Sequence, residues 1–273
     1  MHDPVARDPA PETRPPAATT PIHLDSHGET LLGLLHVPAG PGPHPLIVLL
    51  HGFPGNERNF DLAQALRRAG YAALVFHYRG SWGSGGSWAW RHVLEDSVHA
   101  VAAMRDSSAG HGIDPARVGL FGHSMGGFAA LMTAAADPSI GAVASTSGFD
   151  VGAAAAACAA DPAARAAYVR AFQDELRPLR GTSGEALVSE LESAGQAWSL
   201  PTLAPRLTGR PVLLIGTARD EVTPVPVHHD PLVRAYQGRA ELEHHVFETD
   251  HSLSDHRVTL ARVVIDFFDR RLT

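Results

Sequence analysis

An α/β fold, with a mostly parallel sheet flanked by helices and a small helical cap inserted late in the chain, is what this sequence predicts. Three observations carry the expectation. Short apolar runs alternate with segments of helical spacing, the order that builds parallel sheets from strand–helix–strand units. One run, Pro45-Leu46-Ile47-Val48-Leu49-Leu50, is continuously apolar, as a strand buried on both faces requires. The alternation then stops over about 149–207, an alanine-rich stretch punctuated by Pro162, Pro178, Gly181, Gly184, Pro201 and Pro205. That stretch lies between two core strands and holds no strand of its own, so it reads as a cap.

The elements follow in order. Ile22–Asp25 and Thr30–Val37 form two antiparallel strands around the turn Ser26-His27-Gly28. The Pro45–Leu50 strand ends in the loop His51-Gly52-Phe53-Pro54-Gly55. Phe60 to Ala69 has helical spacing through Leu62, Ala63 and Leu66 and stops at Gly70, a natural C′ residue. Tyr71–Tyr78 is a second apolar strand, followed by the glycine-rich segment Arg79–Ser87 and a helix from Trp90 to Arg105. Arg117–Phe121 is a strand and Met125–Ala136 an alanine-rich helix. Ala142–Thr146, Pro211–Gly216 and Glu241–Phe247 are further strands, and Leu253–Arg271 is the closing amphipathic helix.

The 273 residues suffice for a full core and suit one domain over 22–273 wearing an insertion. Residues 1–21 are rich in proline and poor in apolar groups, which predicts a disordered tail without the apolar segment of a secretory signal. All 22 basic residues are arginine, so Schiff-base, pyridoxal-phosphate and Walker-lysine chemistry are excluded. A net charge of −7 argues against a nucleic-acid partner or an anionic membrane surface. No apolar run approaches the roughly 20 residues of a membrane span. The single cysteine, Cys158, cannot form an internal disulfide and suits a reducing compartment, so a cytoplasmic location is expected.

Gly122-His123-Ser124-Met125-Gly126 fits G-x-S-x-G, follows the strand Val118–Phe121 and opens a helix, which is the context the motif requires. A serine on so sharp a turn has a strained backbone and an exposed hydroxyl, with a helix N-terminus aimed at developing negative charge. Serine is a weak nucleophile and needs a base. In chain order the acid follows the serine and the histidine follows the acid. Asp220 comes just after the strand Val212–Gly216, and His251 lies in the loop before the last helix. Glu221, Asp250 and His256 are the neighbouring alternatives. Ser124, Asp220 and His251 all fall at carboxyl ends of strands, where open α/β sheets place their sites. For an oxyanion the candidate donors are the main-chain amides of Met125 and Phe53; Pro54 has no N–H to offer.

These residues carry a resemblance to the α/β-hydrolase superfamily over roughly Ile22 to Leu272. Tyr78-Arg79-Gly80-Ser81-Trp82-Gly83-Ser84-Gly85 and Asp250-His251-Ser252 are also similar to the catalytic domain of prolyl oligopeptidase-like enzymes. The resemblance implies a serine hydrolase with Ser124, Asp220 and His251 as its triad. Two departures direct the reading away from peptidases: the chain has no room for their β-propeller, and methionine rather than tyrosine follows the serine. The expectation is a stand-alone hydrolase of small or medium carboxylic esters, with a peptidase or amidase as the alternative and a non-catalytic ligand-binding use of the fold as a third reading.

Other residues have plainer roles open to them. Trp82 and Trp88, in the glycine-rich segment, are candidates for lining the substrate pocket, equally balanced against local packing. Seventeen histidines raise the question of metal. The pairs His228-His229 and His244-His245 point to opposite sides of an extended chain, and no H-E-x-x-H or cysteine cluster is present. No metal and no cofactor are expected, and a small-molecule ester is the expected partner. His123 reads as structural, Cys158 as a small buried hydrophobe, and Arg79 as held by an unidentified carboxylate.

Overall fold

In the computed structural model, residues 3–10 and 12–272 are described. Eight strands form one sheet in the order β1-β2-β4-β3-β5-β6-β7-β8. They are β1 Ala18–Ser26, β2 Glu29–Val37, β3 His44–Leu50, β4 Ala72–Phe76, β5 Ile113–His123, β6 Ala142–Thr146, β7 Pro211–Thr217 and β8 Glu241–Phe247. The β1–β2 and β2–β4 pairs are antiparallel and every later pair is parallel. The helices are α1 Phe60–Ala69, α2 Trp90–Asp106, the single turn α3 Ser108–His111, α4 Met125–Ala136, α5 Val151–Ala160, α6 Pro162–Asp174, α7 Gly184–Ala194, the short α8 Val225–His228 and α9 Asp230–Tyr236, and α10 Arg257–Arg271.

Strand alternation explains the two cores. Leu46, Val48 and Leu50 of β3 face one side with Val118 and Leu120 of β5, under α2, α4 and the helical insertion. Ile47 and Leu49 face the other side with Phe121, Leu213 and Ile215, under α1 and α10. Both faces are buried, so the central strands read as unbroken apolar runs. The insertion, α5 to α7 plus 3₁₀ turns at Gly195–Trp198 and Leu200–Leu207, lies between β6 and β7 as expected from its sequence.

Boundaries differ in instructive places. β1 begins at Ala18, so 18–21 are strand rather than tail; Thr19 and Thr20 find partners in His36 and Leu35. Earlier residues also make contacts: Arg68 Nε donates to the Pro4 carbonyl at 2.5 Å, and Val5 packs against the α1–α10 face. Pro4 and Val5, within the expected tail, thus touch segments distant in sequence, while Met1, His2 and Pro11 lie outside the described residues. The last helix starts at Arg257 instead of Leu253. Leu253 takes a left-handed φ of 55°, and Asp250 instead closes a tight turn by accepting from the Ser254 amide and hydroxyl. The segment between β7 and β8, which showed no clear element in sequence, contains α8 and α9.

Candidate active site

The elbow is built by close approach of three chain segments. Ser124 joins β5 to α4 at φ 58°, ψ −123°, a conformation costly for any residue with a side chain. The flanking glycines are required by space. A Cβ on Gly122 would sit 1.9 Å from the Gly126 carbonyl oxygen, and one on Gly126 would sit 1.8 Å from that of Leu50. β5 is central, between β3 and β6, so the turn is braced on both sides. Ser124 is 6% exposed and lines a cavity of about 470 Å³. Among the described residues no hydrogen bond holds its hydroxyl.

His251 lines the same cavity. Its Nδ1 donates to Asp220 Oδ2 at 2.7 Å, which leaves Nε2 free to accept a proton. Asp220 is buried and fully engaged. It also accepts from Thr223 Oγ1 at 2.5 Å, Thr217 Oγ1 at 2.8 Å, and the amides of Val222 and Thr223 at 2.8 and 2.9 Å. Burial alone would raise the carboxyl pKa, but the hydrogen bonds from His251 and Thr223 together with the histidine's charge outweigh it and hold Asp220 well below the usual carboxylate range. The alternatives separate cleanly. Glu221 is exposed, Asp250 serves its own turn, and His256 pairs with Asp255 and stacks on Phe247.

The His51–Gly55 loop forms the cavity wall beside Ser124. Gly52 lies so near that a Cβ there would be 3.0 Å from the Ser124 Cβ. Among the described residues neither the Phe53 amide nor the Met125 amide is taken up by a protein acceptor, so both donors remain available. His51 orders the loop: its ring lies 2.8 Å from the Gly52 carbonyl and 3.3 Å from His77 Nδ1. Burial, reinforced by the neighbouring His77, pushes the His51 pKa down to about 3.

The two tryptophans do not reach the cavity. Trp82 turns away at φ 49°, stacks under the Arg58 guanidinium at 4.4 Å, and donates from Nε1 to the Pro54 carbonyl at 2.8 Å. It buttresses the loop from behind. Trp88 is 2% exposed and packs edge-on against Phe53 and Trp90, centroids 5.2 and 5.0 Å away. Their expected role as lining residues is therefore corrected to loop support and core packing. The left-handed turns of the glycine-rich segment aim both rings inward or behind. Arg79 is held by Asp96 (2.7 Å) and Glu95 of α2, away from the cavity.

The cavity wall opposite the loop comes from the insertion: Ala171, Phe172, Asp174 and Glu175, with Val222 and Ser252 completing the rim. The sequence singled out none of these, nor Thr223 and Ser147. Thr223 carried a usable signal, since it lies on the turn of the candidate acid and a hydroxyl there can bond a carboxylate. Phe172 carried none. Among the described residues no group of three or more His, Cys, Asp or Glu side chains is placed to hold a metal ion, and no helix is long and apolar enough to cross a membrane.

A parallel sheet with a strained serine at a central strand end, a histidine bonded to a buried acid and a wall of free amides defines a class of proteins. Residues 47–263 match the model of the alpha/beta hydrolase family, and the chain belongs to that family. It is 29% identical over 142 residues to the 2,6-dihydropseudooxynicotine hydrolase of Paenarthrobacter nicotinovorans, a match covering 51% of this chain and 37% of that protein. The matched region spans less than half the length of the curated relatives. Solved structures share the fold. An esterase of Pyrococcus furiosus superposes with a TM-score of 0.70 at 18% identity, covering 94% of this chain and 92% of that one. Est1E of Butyrivibrio proteoclasticus does so with 0.69 at 21%, covering 92% and 98%.

Proposed function

We propose that this protein is a serine-dependent hydrolase of small or medium carboxylic esters. The observation that carries the reading is the strained Ser124 sharing one cavity with His251, whose ring is already fixed on the buried Asp220. In this mechanism Ser124 Oγ attacks the ester carbonyl while His251 Nε2 takes its proton. Asp220 holds the ring tautomer and stabilises the imidazolium without itself becoming protonated. The Phe53 and Met125 amides donate to the carbonyl oxygen as negative charge develops on it. The imidazolium then protonates the leaving alcohol. Water, giving its proton to His251, then attacks the acyl carbonyl; the bond to Ser124 Oγ breaks, Oγ takes the proton back from the imidazolium, and the acid leaves. Every step uses groups of this chain, without a cofactor. Location in the cytoplasm fits the same reading.

Esterase neighbours by fold and a hydrolase relative by sequence support the class of reaction. Amide hydrolysis gains no support from Arg79, whose charge is spent on α2. The test is labelling with a fluorophosphonate probe followed by turnover of an ester and an amide sharing one acyl group. Labelling that disappears in Ser124→Ala, with faster ester turnover, is expected. Equal labelling of Ser124→Ala, or amide turnover with negligible ester turnover, overturns the proposal.

A further inference from the structure

The loop that carries His251 is gripped by its main chain as well as by its ring. His123 Nε2–H donates to the His251 carbonyl oxygen at 2.8 Å, and the two rings lie 4.9 Å apart. Ser147 Oγ reaches the same carbonyl at 3.2 Å, from a residue itself held in a left-handed turn at φ 46°. His123 is the last residue of β5, immediately before Ser124, and is paired with Thr146 of β6. It is 3% exposed.

We propose that His123 is a positioning residue that sets the distance between nucleophile and base, by tying the His251 main chain to the strand end that presents Ser124. The proposal rests on reading those two residues as base and nucleophile. Serine and histidine lie far apart in sequence, yet this one hydrogen bond connects the loop of one to the residue adjoining the other. A misplacement of about 1 Å costs such a pair roughly 100-fold in rate.

Two features separate this from filler. The other ring nitrogen, Nδ1, is buried with no partner. An unsatisfied buried acceptor is costly, so an apolar ring would fill the space better, and the donor is the reason for an imidazole. The ring is also kept neutral: burial, then the charges of His251 and Arg257, hold its pKa down to about 3 against the hydrogen bond to the His251 carbonyl and the charge of Asp220, which both act in the opposite sense. A neutral donor fixes the loop without repelling the imidazolium that forms on His251 during turnover. Arginine or lysine in its place would repel it.

The experiment compares His123→Gln, whose side-chain amide can reach the carbonyl, with His123→Phe and His123→Asn, which lack the donor or fall short. Steady-state kinetics on an ester are paired with the fluorophosphonate labelling rate constant, normalised to folded protein. His123→Phe and His123→Asn are expected to lose about 10- to 100-fold in kcat and in labelling rate with KM nearly unchanged, and His123→Gln to recover most of the loss. A purely structural role would lower Tm and leave both rates per folded molecule alone, and that result overturns the proposal. If His123→Phe does not fold, the Gln and Asn pair decides. Ser124→Ala separates the two readings: an active Ser124→Ala refutes the mechanism itself, whereas an inactive Ser124→Ala beside an unimpaired His123→Asn refutes only the positioning role.

Discussion

Asp220 shows why one carboxylate among 29 acidic side chains matters. Its charge is buried, and five donors make that tolerable, with Thr223 contributing both hydroxyl and amide. Each hydrogen bond to a charged group contributes about 1.5–3 kcal/mol. Thr223→Val keeps the shape and removes the shortest of the hydroxyl bonds. It is expected to lower kcat about 10-fold and to destabilise the fold by about 2 kcal/mol, measured by ester kinetics and urea unfolding. Asp220→Asn removes the charge and allows the wrong tautomer of His251, for which a loss of about 10⁴ in kcat is expected. Unchanged kinetics in Asp220→Asn would mean that the acid does no more than hold its turn.

Among the elements, the helical insertion decides the shape of the cavity, and its attachments are specific. At one end Asp150 caps α5 through the amides of Gly152 and Ala153 and also takes the Leu200 amide at 3.2 Å, stitching the insertion's two ends together. In its middle, between α6 and α7, 178–180 pairs with the glycine-rich segment: Trp82 N–H donates to Pro178, Trp88 N–H to Arg180, and Arg180 N–H to Gly80. This latch follows directly after Asp174 and Glu175, so the cavity wall is anchored at its base. Asp150→Ala leaves the buried amides of Gly152 and Leu200 and the half-buried amide of Ala153 short of an acceptor. A loss of about 2 kcal/mol is expected, with new protease cleavage confined to 151–207 and the sheet left intact. Cleavage spread evenly over the chain would show that the insertion and the sheet unfold as one unit.

For the molecule as a whole, buried histidines set the pH range of stability. Burial above all lowers the pKa of His51 and His123 to about 3 and those of His77, His228 and His229 to about 4, against 6.5 for an unhindered ring. Between about pH 6.5 and 4 the unfolded chain therefore binds more protons than the folded one, and stability falls as pH falls through that window. All five rings act in the same direction: each resists the proton in the folded state that it takes up freely once exposed, so acid favours the unfolded chain at every one of them. Cooperative unfolding with a midpoint above about pH 4 is expected in circular dichroism titrations; a Tm unchanged from pH 7 to pH 4 would refute it. Charge also acts at the cavity mouth. Glu57, Asp174 and Glu175 lie on its lining, and of the three Glu57 is paired with an arginine, Arg257 at 3.9 Å from behind the lining. An ester with a cationic alcohol group is expected to show a kcat/KM several-fold above its anionic isostere at low salt, the ratio shrinking as salt is added.

The sequence by itself determined the sheet and the strand-to-helix turn at Ser124, and it named Ser124, Asp220 and His251, the residues proposed as nucleophile, acid and base. These are local signals: buried strands need apolar runs, and a strand-to-helix turn around Ser124 needs Gly122 and Gly126 within a few residues. Asp220 and His251 were legible because each follows directly on a strand end. Only the tertiary structure decided that Trp82 and Trp88 stand behind the wall, that Phe172 and Asp174 form its opposite face, and that His123 and Ser147 grip the His251 carbonyl. Those outcomes depend on where loops and the insertion pack against distant strands, and no spacing along the chain encodes a contact made across it.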